Sequence, residues 1–161
     1  GEIGTVSQEA QGFGAELVSA KAALDADLVP RASPTCRATF CGPGCNLGAQ
    51  RFTHEVRVGA LDLQANSVTL EGGPAGDLLE GGFLRWLDGP QAGVTFQVMA
   101  AEGGAIVLDR LLDPGIAAGT RALVREGCDH TWQTCHDRFG NAANFRGEPF
   151  LPGNDLLARY G

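Results

Sequence analysis

From Phe52 to Glu126 apolar residues recur at alternate positions in short runs: Val56 and Val58, Val68 and Leu70, Phe83 with Leu84 and Trp86, Val94 with Phe96 and Val98, Ile106 and Leu108, and Leu123. Alternation of period two between glycine and proline punctuation is the pattern of half-buried strands. About six strands are predicted, with turns at Gly72-Gly73-Pro74, Asp88-Gly89-Pro90 and Gly103-Gly104 spaced for a small antiparallel barrel or sandwich. The fold class is mainly β.

The flanks read differently. Phe13, Leu17, Leu24 and Leu28 have helical spacing, but Gly12 and Gly14 oppose one long helix, because each interior glycine costs about 1 kcal/mol. Residues 1–30 are therefore expected to form an N-terminal hairpin, Glu2–Gln8 with Phe13–Val18, then a short helix opening near Ser19 and stopping before Pro30. Residues 31–161 form the β module with its loops. Gly42-Pro43-Gly44 breaks any regular element between Arg31 and Arg51. After Cys128, Asp129 is a suitable N-cap and Gly140 a suitable C′ residue, which predicts a helix over about His130–Phe139.

Composition narrows the function classes. A net charge of −7 with Lys21 the only lysine argues against direct nucleic-acid binding, which needs clustered cations. No run is long and apolar enough for a membrane span. The chain opens on Gly1-Glu2-Ile3 without methionine or an export region, and is expected to be an excised fragment. Twenty-four glycines and eight prolines point to many turns, while 43% hydrophobic content is too high for a disordered chain.

Five cysteines leave one over in any disulfide scheme, and no sequence feature directs the chain to an oxidising compartment, so metal binding is the better default. Cys128 and Cys135 are seven positions apart, two helical turns, so their sulfurs can share a helix face. The segments Asn144-Phe145-Arg146-Gly147 and Pro152-Gly153-Asn154-Asp155, with Cys128 and Cys135 and the upstream Cys36-Arg37…Cys45, resemble the C-terminal domain of the tail-tip baseplate hub family of siphophages and gene transfer agents, related to the lambda-type minor tail protein L. That resemblance implies a virion structural protein, assembled in the reducing host cytoplasm and placed in the tail. Expected partners are other tail-tip proteins and copies of itself in a ring, with contact to the host surface compatible with that place.

The resemblance also implies a [4Fe–4S] cluster ligated by Cys36, Cys45, Cys128 and Cys135, four thiolates being what such a cluster needs. Structural zinc is the competitor, though zinc modules usually enclose two to four residues between paired ligands, whereas eight and six lie between these. Cys41 departs from the family pattern and is expected to be a free thiol or an oxidation partner.

No catalytic residue is nominated and no enzyme is expected. His136 beside Cys135 points about 100° away on a helix, and His54 and His130 are too scattered for a hydrolase motif. Asp62, Asp77, Asp88, Asp109 and Asp113 read as turn formers, and Gly72–Gly76 lacks the lysine of a phosphate loop. Alternatives are a zinc-stabilised protein-binding module and a tail-associated cell-wall hydrolase. Trp86 and Trp132 read as core anchors, Trp132 also as a shield for the metal. Phe145 is expected to be buried. Arg146 is expected to lock the C-terminal loop through its planar guanidinium, and Glu148 and Phe150 differ from the aromatic and histidine more usual in the family.

Overall fold

The structure, a computed structural model, describes residues 2–9, 12–19, 21 and 32–150. The chain divides into two compact units, Gly1–Ala32 and Ser33–Gly161. In the first, β1 (Glu2–Glu9) and β2 (Gly12–Val18) form an antiparallel hairpin with Ile3 opposite Leu17 and Gln8 opposite Phe13. The helix expected between Ser19 and Pro30 falls outside the described residues, apart from Ser19 and Lys21.

The second unit is built on a closed barrel of six antiparallel strands: β3 (Thr53–Asp62), β4 (Ser67–Glu71), β5 (Phe83–Trp86), β6 (Thr95–Glu102), β7 (Ala105–Leu108) and β8 (Arg121–Arg125). They run in the order β3-β4-β7-β6-β5-β8, with β8 closing on β3, so a barrel rather than a sandwich forms. Closure leaves no edge strand to template association. Inward residues fill the interior: Val56, Val58, Val68, Leu84, Trp86, Phe96, Val98, Ile106, Leu108, Ala122 and Val124 are all buried. Trp86, the expected core anchor, stands edge-on to Phe96 at 6.1 Å.

In β8 the inward residues are Ala122 and Val124, and Leu123 lies on the other face, opposite Glu55 and Arg85. A period of two sends Arg121, Leu123 and Arg125 to one face together, and two charged neighbours hold that face outward. Among the described residues no helix is long and apolar enough to cross a membrane.

Candidate metal centre

Barrel closure decides where the cysteine loops meet. Thr53, the first residue of β3, pairs with Arg125, the last of β8, so the chain enters and leaves the barrel side by side. The loop carrying Cys36, Cys41 and Cys45 precedes β3, and the segment carrying Cys128 and Cys135 follows β8. Both therefore emerge at one end. Phe52, Phe40 and Phe139 fill the space there with ring centroids 4.8–5.4 Å apart, a small apolar cluster beneath the cysteines. Arg138 ties that cluster to the barrel: it donates to Glu126 Oε2 at 2.6 Å and to the carbonyls of Gly127 and Leu78, and lies over the Phe139 ring. Glu126 also bonds His54, which is thus a satisfied structural histidine.

Cys36, Cys45, Cys128 and Cys135 all line one cavity of about 20 Å³, with Phe40, Leu47 and Phe139 among its apolar walls. Cys45 and Cys135 are buried, whereas Cys36 and Cys128 are half-buried. Three N–H groups point at sulfurs: Arg146 N–H to Cys36 Sγ at 3.3 Å, His130 N–H to Cys128 Sγ at 3.4 Å, and Asn141 Nδ2 to Cys45 Sγ at 3.7 Å. Donors of this kind stabilise negative charge on sulfur.

The helix behind Cys135 is shorter than its sequence suggests. Helical turns cover 132–138, the last five residues, Thr134–Arg138, in the wider π form. His130 has φ +60°, which a right-handed helix does not accommodate, so Cys128 lies outside the helix and reaches the cavity from the preceding loop. The two sulfurs therefore converge without sharing a helix face. Thr131 Oγ1 accepts the Thr134 N–H, and Asp129 braces the turn from outside by accepting from Thr131 and Thr134. Burial alone would raise the Asp129 carboxyl, but these bonds outweigh it and hold it below the usual range. Gly140 takes the expected left-handed conformation, φ +59°.

Burial is the main cause that pushes the thiols of Cys128 and Cys135 upward; Cys36 and Cys45 add to both, and the His130 N–H opposes the rise at Cys128. Uncompensated, they stay protonated, which suits a site that ionises only against a cation. Cys41, at φ +58°, does not line the cavity, and burial followed by Cys45 pushes its thiol up as well. Among the described residues no group of three or more His, Cys, Asp or Glu side chains is arranged to hold a metal ion. His136 turns away from Cys135, bonding Asp137 at 2.6 Å and stacking on Trp132.

The Asn144–Gly147 motif works through its backbone. Arg146 is exposed and its guanidinium makes no hydrogen bond among the described residues, so the lock expected of that side chain is absent there. Instead Arg146 N–H faces Cys36 and its carbonyl accepts Arg37 N–H at 3.1 Å. Gly147 is needed because a Cβ there would lie 2.5 Å from the Thr35 carbonyl oxygen. Phe145 is half-buried, edge-on to Trp132 at 5.2 Å, and Phe150 is 82% exposed. A bidentate fork is made instead by Arg37, whose two terminal nitrogens each bond Glu148 at 2.8 Å. Asn141 reaches 96 positions to the Cys45 carbonyl at 2.8 Å, and Asn144 supports it. The polar residues 111 and 96 positions from their partners carried no sequence signal beyond the motif itself.

Residues 1–48 match the family described as baseplate hub protein, N-terminal attachment domain, and residues 77–155 match the phage conserved hypothetical protein BR0599 family. Among curated proteins none matches significantly. Among solved structures, a chain from the virion of a native gene transfer agent particle is similar over 100% of this chain, with 32% identity and a TM-score of 0.75. This chain spans 58% of that one. These likenesses support a structural role in a phage-type tail and a location in the virion tail.

Proposed function

We propose that this chain is a structural part of a tail-tip baseplate hub, fastened by a [4Fe–4S] cluster on Cys36, Cys45, Cys128 and Cys135. In this reading it meets other tail proteins and copies of itself in a ring, and it is not an enzyme. The kinship to the lambda-type minor tail protein L belongs to the same proposal. The observation that carries it is the convergence of four cysteines, from loops on either side of the barrel in sequence, on a single cavity.

The donor set fits the cluster. All four candidate ligands are sulfur, N–H groups face three of them, and the floor is aromatic. A mononuclear zinc site would draw all four sulfurs to about 2.3 Å from one point. A cluster spreads its ligands over several irons and tolerates wider spacing. Cys45 and Cys135 lie buried in the cavity wall, and Cys36 and Cys128 are half-buried. When bound, the cluster would supply cross-linking of the two loops and, secondarily, an electron-transfer centre. The chain's own residues hold the thiols: Asn141 fixes Cys45, the helix fixes Cys135, and the left-handed His130 turns its N–H toward Cys128.

Anaerobically purified chain is the test. About four irons and four sulfides per chain, with absorbance near 400 nm, are expected. One zinc per chain, or no metal, would remove the cluster. Peptidoglycan turnover by the same sample would instead favour a cell-wall hydrolase.

A further inference from the structure

Cys45 and Cys135 are buried in a cavity wall that includes Phe40 and Phe139, and Cys128 comes three residues after the end of β8. Cys36 lines the same cavity but is only half-buried. It sits in an irregular segment, and what holds that segment is polar. Glu148 and Ser33 bond reciprocally, Glu148 N–H to the Ser33 carbonyl at 2.8 Å and Ser33 N–H to Glu148 Oε2 at 2.8 Å. Arg37, next to Cys36, closes a bidentate fork on the same carboxylate. Between these anchors Arg37 N–H bonds the Arg146 carbonyl, Arg146 N–H faces Cys36 Sγ, and Cys36 N–H bonds the His130 carbonyl at 2.8 Å. The Glu148 carboxylate is thus the common acceptor for three donors that bind the Cys36 segment to the segment after the helix.

We infer that Arg37 and Glu148 form a latch that positions Cys36 and sets how readily that corner of the four-cysteine site opens. Exposed ion pairs are generally weak, but a bidentate fork sharing its carboxylate with a backbone N–H is the strong exception. Glu148 and Arg37 are positioning residues: neither touches the cavity through its carboxylate or guanidinium, and both act through the Cys36 backbone. The latch as a regulator of metal retention rests on the cluster reading; the latch as a restraint on Cys36 does not.

Two measurements on the full chain separate these. In metal-free chain, mass spectrometry follows the alkylation of each cysteine by iodoacetamide. Glu148→Gln and Arg37→Lys are expected to speed Cys36 about tenfold while Cys45 and Cys135 keep the parent rate. Arg121→Gln, which breaks the Asp88 pair on the barrel wall, serves as the control and is expected to change nothing. In iron-loaded chain, the same Glu148→Gln should start with parent iron content and lose its 400 nm absorbance to a chelator about tenfold faster. Parent-rate alkylation of Cys36 in both variants overturns the latch. Absence of iron from the parent overturns the cluster reading and leaves the alkylation result to judge the latch. Equal acceleration at all four cysteines also overturns it, since that reports general loosening rather than control of one corner.

Discussion

Gly147→Ala tests whether the Asn144–Gly147 motif acts through a close backbone approach. A Cβ at Gly147 would stand 2.5 Å from the Thr35 carbonyl oxygen and 2.8 Å from both the Thr35 carbonyl carbon and the Phe145 ring edge. The first contact is about 0.8 Å short of the roughly 3.3 Å at which a carbon rests against a carbonyl oxygen. The obstacle is backbone, so it cannot rotate away; the segments must part. A displacement of that size would stretch the Glu148 N–H bond to Ser33 from 2.8 Å to about 3.6 Å, outside hydrogen-bond range.

Losing that bond and its neighbour from Arg37 to Arg146, at about 1 kcal/mol each, gives a cost of about 2 kcal/mol, inside the usual range for overpacking. Hydrogen exchange is the assay. Residues 33–37 and 145–148 should lose protection in the Gly147→Ala chain, while β3 to β8 keep theirs, because the barrel core is not in contact with the substituted position. Parent-like protection in both segments would refute the steric argument, and loss of protection throughout the barrel would show that the docking of these segments is not local.

Two further outcomes follow from the polar anchors. The Glu148 carboxyl is held at about 2, first by the Arg37 fork and then by the Ser33 N–H; a depressed carboxylate contributes fully above its unfolded value of 4.5 and loses that contribution as the pH falls through about 2. Carboxyl-carbon NMR should give a midpoint near 2 with docking unchanged between pH 7 and 5, and a midpoint near 4.5 would show the fork is not formed. Arg138→Met removes the 2.6 Å bond to Glu126 and two carbonyl bonds. It should cost about 2 kcal/mol in urea unfolding, and an unchanged midpoint would show that the arginine merely covers Phe139.

The six strands were legible because alternation and glycine turns survive in a barrel whose inner face is apolar and outer face polar. The β8 register is the exception: Leu123 carries the apolar signal there, yet Ala122 and Val124 point inward and Leu123 shares its face with Arg121 and Arg125. The helix start was blurred because Asp129 looks like a cap, while the left-handed His130 that delays the helix is not a residue type that announces positive φ as glycine does. In the motif, Arg146 drew attention by its side chain, whereas the structure uses its amide and carbonyl and the missing Cβ of Gly147. Backbone roles leave no trace in residue type except at glycine. Arg37 with Glu148 is a pairing across 111 positions, and sequence periodicity reports only neighbours along the chain.

The barrel and the cysteine cavity are one device seen from two sides. Closing six strands requires β8 to find β3, and the register Thr53 with Arg125 puts the last residue before one loop opposite the first residue after the other. Convergence of the two cysteine loops is therefore a consequence of closure rather than an added cost, since loop-closure entropy for contacts this distant in sequence is met once, by the barrel. Gly127 shows how tight the junction is: a Cβ there would collide with the Glu80 carbonyl, so the chain can leave β8 toward Cys128 only without a side chain at that step. The dependence also runs in reverse. Any group that bridges Cys36 or Cys45 to Cys128 or Cys135 closes a covalent ring around the whole barrel, and so restrains the β3–β8 seam where a closed sheet would otherwise first open.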